Sequence, residues 1–232
     1  MSLSQQKSPY VHWEYVHPES GDRLRIVPER GGLVTAWCSN GRELLYLDQE
    51  RFADPGKSIR GGIPVLFPIC GNLPGDLLPL PCGEFTLKQH GFARDMPWEL
   101  QLLEDHSGVK LSLSDTDATR AAYPFEFLIE MLVRPIRNAL EIDTTVHNLS
   151  QTAMPFSFGL HPYLNVTDLS QVRLEGLPNS CLNHLEMAEA SSIYQRPHLQ
   201  GRLDPQGESR SQRPLLDVPI GWRFRLLPSA ND

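Results

Sequence analysis

His161 stands in the run Phe156-Ser157-Phe158-Gly159-Leu160-His161-Pro162-Tyr163-Leu164-Asn165, and His90 in Gln89-His90-Gly91-Phe92-Ala93-Arg94. Imidazole titrates near neutral pH, so two such rings in one cleft would form an acid–base pair able to move protons onto and off oxygen atoms. Arg60 opens a third run, Arg60-Gly61-Gly62-Ile63-Pro64-Val65-Leu66-Phe67-Pro68. Its planar guanidinium suits an anionic or hydroxylated ligand; the two glycines would let backbone approach that ligand, and the prolines stiffen the loop. Arg94 adds a cation to the second run. On a strand His90 and Arg94 would share one face, because side chains repeat every second residue. Pro162 biases His161 toward extended backbone, and Tyr163 supplies an aromatic body with a polar tip. Each of these residues also has a structural reading: Arg60 solvated on a turn, His90 and His161 paired locally where strands end.

The elements that must position these runs are strands. Phe125, Phe127, Ile129, Met131 and Val133 alternate with Glu126, Glu130 and Arg134, and Leu140, Ile142, Thr144 and Val146 alternate with Glu141, Asp143, Thr145 and His147. The short connection from Pro135 to Asn138 predicts an antiparallel hairpin. Further strands are expected from Leu24 to Val27, Leu33 to Trp37, Trp98 to Leu103 and Val109 to Leu113, punctuated by Gly31-Gly32, Asn40-Gly41 and Ser107-Gly108. No long segment has the apolar period of an amphipathic helix; residues 115–122 allow one short turn of helix, limited by Pro124. Regularly spaced strands with few helices imply antiparallel sheets packed face to face. The Pro- and Gly-rich stretch 60–91 reads as a long ordered loop of the kind that carries function. Residues 195–214 look solvated or irregular, and Trp222 to Leu226 alternates as an edge strand would. A single domain over 1–232 is expected, with 189–232 as a divergent or irregular tail.

Bulk composition narrows the function. Of 232 residues, 40% are hydrophobic and 21% charged, enough for a core. Acidic residues number 28 against 21 basic ones, a net charge of −7 that argues against a general nucleic-acid binder. Cys38, Cys70, Cys82 and Cys181 lack any Cys-x-x-Cys spacing and are expected as reduced thiols. No apolar run reaches membrane-spanning length, and the N-terminus has no hydrophobic signal core, so a soluble, cytoplasmic protein is expected. The histidines lack zinc spacings, the glycine pairs match neither a phosphate-binding loop nor a dinucleotide fingerprint, and no Gly-x-Ser-x-Gly elbow occurs. Neither a metal nor a cofactor is called for. Oligomeric state is not legible.

Taken together, Arg60-Gly-Gly-Ile-Pro-Val-Leu-Phe-Pro68, His90-Gly-Phe-Ala-Arg94 and His161-Pro-Tyr-Leu164 resemble the aldose 1-epimerase (galactose mutarotase-like) superfamily, most nearly its hexose-6-phosphate mutarotase branch. Tyr123-Pro-Phe125, Val146-His-Asn148, Val166-Thr-Asp168 and Val172-Arg-Leu-Glu-Gly-Leu177 stand in the matching order, so the resemblance covers roughly residues 20–187. It implies an all-β fold, a large antiparallel β-sandwich of the galactose mutarotase-like supersandwich type. It also implies cofactor-free interconversion of the α and β anomers of a hexose or hexose 6-phosphate by acid/base ring opening. His161 would be the general acid at the ring oxygen, and His90 would orient the sugar and stabilise charge. Arg60, Arg94, Gln89 and Tyr163 would bind the substrate, the two arginines suiting a phosphate. The implied partner is that small molecule, with neither nucleic acid nor membrane involved. The family's general base is a glutamate on a late strand in a Leu-Glu-Pro-Trp-like context. The acids after Met187 are Glu189, Asp204, Glu208, Asp217 and Asp232, none in that context. The sandwich is therefore expected to be C-terminally incomplete, as a truncation, an altered reading frame or a pseudoenzyme would leave it. The alternative function is a catalytically impaired sugar-phosphate-binding protein or a fragment of one.

Overall fold

Alternation of apolar and polar residues becomes sheet almost wherever it occurs. The computed structural model describes residues 3–54, 56–136, 139–166, 180–183, 188–191 and 220–226. The chain divides into two compact units, Met1–Leu164 with Leu215–Asp232, and Asn165–Pro214. In the first, β1 (Leu3–Gln6), β2 (His12–Val16), β3 (Arg23–Val27), β4 (Leu33–Ser39) and β5 (Arg42–Glu43) form an antiparallel sheet in chain order. Helix α1 (Gln49–Ala53) follows, started by Asp48, whose carboxylate accepts from the Arg51 amide at 2.9 Å. Next come β6 (Val65–Leu66), β7 (Leu77–Leu80) and β8 (Gly83–Thr86), then β9 (Glu99–Leu102) and β10 (Val109–Ser114). Helix α2 (Asp117–Ala122) is capped by Thr116 in a reciprocal box with Thr119, and ends before Pro124 as expected.

The predicted hairpin is β11 (Phe127–Ile136) with β12 (Ala139–Asn148). It is longer than the sequence suggested, because Pro135 is inside β11, opposite Leu140, and not in the connection. Pairing with β10 stops at Val133, opposite Val109, so Pro135 lies past the end of that ladder and its lacking N–H leaves no bond unmade on that side. Strand β13 (Gly159–Leu160) pairs with β6. Strand β16 (Ile220–Leu226) takes the edge beside β12, giving the sheet order β16-β12-β11-β10-β9, so the late alternating piece is an edge strand. The second unit contains β14 (Ser180–Asn183) antiparallel to β15 (Ala188–Ser191).

One buried cluster joins both five-stranded sheets: Tyr15, Leu24, Ile26 and Trp37 from the first, Leu111, Phe127, Ile129, Met131, Leu140 and Ile142 from the second. Two antiparallel sheets that share one core make the expected β-sandwich. The stretch 60–91 is ordered, but it is more than a loop, since it carries β6 and the β7–β8 ribbon. Among the described residues no helix is long and apolar enough to cross a membrane. Asp204, Glu208, Asp217 and Asp232, and the segments 172–177 and 195–214, lie outside the described residues.

Candidate active site

The three motifs, far apart in sequence, converge on one extended segment. Residues 62–68 form its axis. Along one side runs 157–163: the Ser157 amide donates to the Pro68 carbonyl, Gly159 and Leu160 pair with Leu66 and Val65, the His161 amide donates to Pro64 at 3.0 Å, and the Tyr163 amide donates to Gly62 at 2.9 Å. Along the other side lies 90–93, where Gly91 bridges Phe67 and the amides of Phe92 and Ala93 both donate to the Phe67 carbonyl. A Cβ on Gly91, whose φ is +67°, would sit 2.2 Å from that carbonyl oxygen, so only glycine allows the approach. The Phe67 ring is fully buried and meets Phe92, Tyr123, Phe127 and Phe156 with centroids 5.0–6.2 Å away. That aromatic anchor fastens the site segments to β11 and the core.

His90 sits in a turn rather than on a strand. Its φ is +68° and Arg94 lies in a 3₁₀ turn, Ala93–Asp95, so the two do not share a strand face as the spacing suggested. The glycine after His90 and the need to reach Gly71 explain the departure. The His90 amide donates to the Gly71 carbonyl at 2.8 Å, and the Gly71 amide returns a bond to His90 Nδ1 at 2.9 Å. A backbone amide can only donate, so Nδ1 is the bare nitrogen and the neutral ring carries its proton on Nε2. The fold thereby fixes His90, which is 5% exposed, as a hydrogen-bond donor. Its ring centroid is 6.4 Å from that of His161, tilted 50°. His161 is half-buried and has Tyr163 on its flank at 4.9 Å.

His161 and Tyr163 open onto a cleft whose wall includes Pro64, Leu66, Ser58, Arg94 and Arg30. Arg94 is steadied by a bond from Nη2 to the Gln89 carbonyl at 2.9 Å, and its Nε is 3.7 Å from the Asp95 carboxylate. Gln89 itself is half-buried beside His90. Arg60 is exposed and is not part of this wall; its carbonyl accepts from the Asp48 amide at 2.9 Å, tying the motif's start to α1. Arg30 and Ser58 are the residues that sequence reasoning missed. Arg30 precedes a Gly-Gly turn, which marks it as a loop residue but not as a neighbour of Arg94. The neighbourhood arises because the Gly31 amide donates to Met96 and a Cβ on Gly31 would lie 2.2 Å from the Arg94 carbonyl oxygen.

With this geometry in hand, comparison with known proteins places the chain. The profile of the aldose 1-epimerase family matches residues 20–203. The chain belongs to the aldose 1-epimerase family. A relative from Cenchrus ciliaris, named "Putative glucose-6-phosphate 1-epimerase", is 33% identical over 177 residues, covering 71% of this chain and 50% of its own length. Among solved structures, the Slr1438 protein from Synechocystis sp. PCC 6803 superposes with a TM-score of 0.67 and 40% identity, over 78% of this chain and 63% of that one. A galactose mutarotase-like protein from Lactobacillus casei shares the fold, with a TM-score of 0.57 at 24% identity, over 73% of this chain and 53% of that one. The chain spans about half the length of the curated relatives it matches. Family membership accords with the sandwich fold. The family match also runs past Met187, to residue 203, further than the motifs alone suggested.

Proposed function

We propose that this protein interconverts the α and β anomers of an aldohexose, with a hexose 6-phosphate as the preferred substrate class. The observation that carries the reading is the pairing of His90 and His161, rings 6.4 Å apart, where His161 shares a cleft with two arginines. Anomerisation begins when the bond between C1 and the ring oxygen breaks, the ring oxygen gains a proton and the hydroxyl on C1 loses one. The open aldehyde then rotates about C1–C2 and closes on its other face. His161, at the cleft, gives the proton to the ring oxygen and takes it back on closure. His90, held with Nε2–H as donor, bonds a sugar oxygen and stabilises charge that builds on it. Tyr163 packs against the ring, while Arg94, with Gln89 behind it, binds the substrate's oxygens, and Arg60, outside the wall, holds the start of its motif against the Asp48 amide.

Removal of the hydroxyl proton needs a base. Among the described wall residues the sole carboxylate is Asp95, which pairs with Arg94 and whose side chain is 71% exposed. This favours a second reading, a protein that binds sugar phosphates in the same cleft without accelerating their anomerisation. Exchange NMR on equilibrated glucose 6-phosphate separates the two. Anomer exchange well above the spontaneous rate supports the anomerase. Calorimetric binding with exchange at background would replace it by the second reading, and neither binding nor exchange would sink both. A protein acting on such a metabolite would work in the cytoplasm.

A further inference from the structure

Arg30 is the cation in the cleft whose charge the described structure leaves uncompensated. Its Nη1 donates to the Phe52 carbonyl and its Nη2 to the Lys57 carbonyl at 3.5 Å. Its guanidinium carbon lies 4.3 Å over the Phe52 ring, and Phe52 is buried with Val27 and Leu33 in a core cluster of its own. Carbonyls and an aromatic face orient a guanidinium without neutralising it. Two of its five N–H donors are used, and no described carboxylate forms an ion pair with it. The contrast with Arg94 is direct, because Asp95 lies 3.7 Å from that guanidinium. The wall therefore carries two fixed cations against one carboxylate, and the surplus charge resides on Arg30. Ser58 lies on the same wall and offers a hydroxyl. Planar, pre-oriented, positively charged and backed by a hydroxyl, this corner is suited to a dianionic phosphate.

We propose that Arg30 is the specificity-determining residue that selects a phosphorylated aldose over a neutral one. This rests on the anomerase reading above and adds to it the residue that sets the substrate class. A neutral hexose offers nothing that requires the surplus charge, whereas a 6-phosphate offers two negative charges to it. A rigid guanidinium can take a phosphate without first giving up a carboxylate, so it adds affinity that a salt-bridged arginine would not.

The test compares wild type with Arg30→Gln and Arg30→Lys. Anomer exchange is measured on both glucose 6-phosphate and glucose, and inorganic phosphate is titrated by calorimetry. Arg30→Gln is expected to lower kcat/KM about 10–100-fold more for glucose 6-phosphate than for glucose, as loss of a charge-assisted contact does, and to weaken phosphate binding by a similar factor. Arg30→Lys, which keeps the charge and loses the fork, is expected to recover part of both. An equal loss on the two sugars would reduce Arg30 to a clamp on the segment 52–57 and overturn the proposal, as would no loss on either. Should wild type anomerise neither sugar, the anomerase reading fails, and the phosphate titration still decides on Arg30. Tighter phosphate binding by wild type than by Arg30→Gln would uphold its role; equal binding, or none by wild type, would end it.

Discussion

In the hairpin β11–β12 ten consecutive residue pairs run in register, and every second side chain of β11 is buried in the core. The three segments that meet at Phe67 have almost no such periodicity. They are joined by amide-to-carbonyl bonds between stretches distant in sequence, and by glycines where one backbone passes another. The hairpin is positioned by what its side chains exclude from water. The site is positioned by where its main chain finds partners. One region should therefore fail through lost burial, and the other through lost geometry.

Mutations can sharpen that contrast. His161→Ala should lower the catalysed anomer exchange by about 10²–10⁴-fold while shifting the melting temperature little, because the ring is half-buried and its backbone bond to Pro64 survives. Phe127→Ala should do the reverse, costing about 3–5 kcal/mol in urea unfolding with a near-normal rate in the protein that remains folded. If its rate fell as far as that of His161→Ala, the separation of the two regions would be wrong. Gly91→Ala belongs to the site. The clash with the Phe67 carbonyl and the positive φ should cost about 1–3 kcal/mol, and exchange should slow because His90 moves with the turn. Ser157→Ala removes the hydroxyl that accepts from the Cys70 amide at 2.8 Å, next to the Gly71 that holds His90. About 1 kcal/mol of stability should go, with a fall in kcat larger than any rise in KM.

The smallest effect belongs to the outer face of the hairpin. Burial alone would raise the Glu130 carboxyl pKa, but the bonds from His147 and Lys110 outweigh it and hold the value below its ordinary 4.5. A depressed folded-state pKa gives stability that is complete above the unfolded value and is lost as pH falls through the folded one. These side chains are about a third exposed, so the contribution is under about 1 kcal/mol after screening. Unfolding midpoints of wild type and Glu130→Gln should differ slightly at pH 6 and converge as the pH falls below 4.5 and through the lowered folded-state value.

What was legible in the sequence follows the same division. Strands β3, β4, β9 and β10 and the hairpin could be read because each is a short run rich in apolar residues bounded by turn formers, although only β10 and β11 bury alternate residues while β4 is buried almost throughout. Strand β2 escaped notice because its two buried residues, His12 and Tyr15, are three apart and one is polar. The β7–β8 ribbon was hidden by Pro79 in a strand of four residues. At the site the three motifs were visible as residue types, but their arrangement was not. His90 at positive φ breaks the two-residue period from which a face shared with Arg94 was expected. Arg30 reaches the cleft through contacts of the Gly31 main chain with residues 94–96, and no local pattern encodes such a contact.

The bond between Cys70 and Ser157 spans 87 residues of chain. Closing so long a loop loses entropy before any contact is regained, so pairings of this kind form late in folding. On a ribosome the segment that carries His161 emerges 87 residues after the one it must zip against, counted from Cys70 to Ser157. Until then residues 62–68 present an open row of amides and carbonyls on that side, and the cleft cannot close before Tyr163 has emerged.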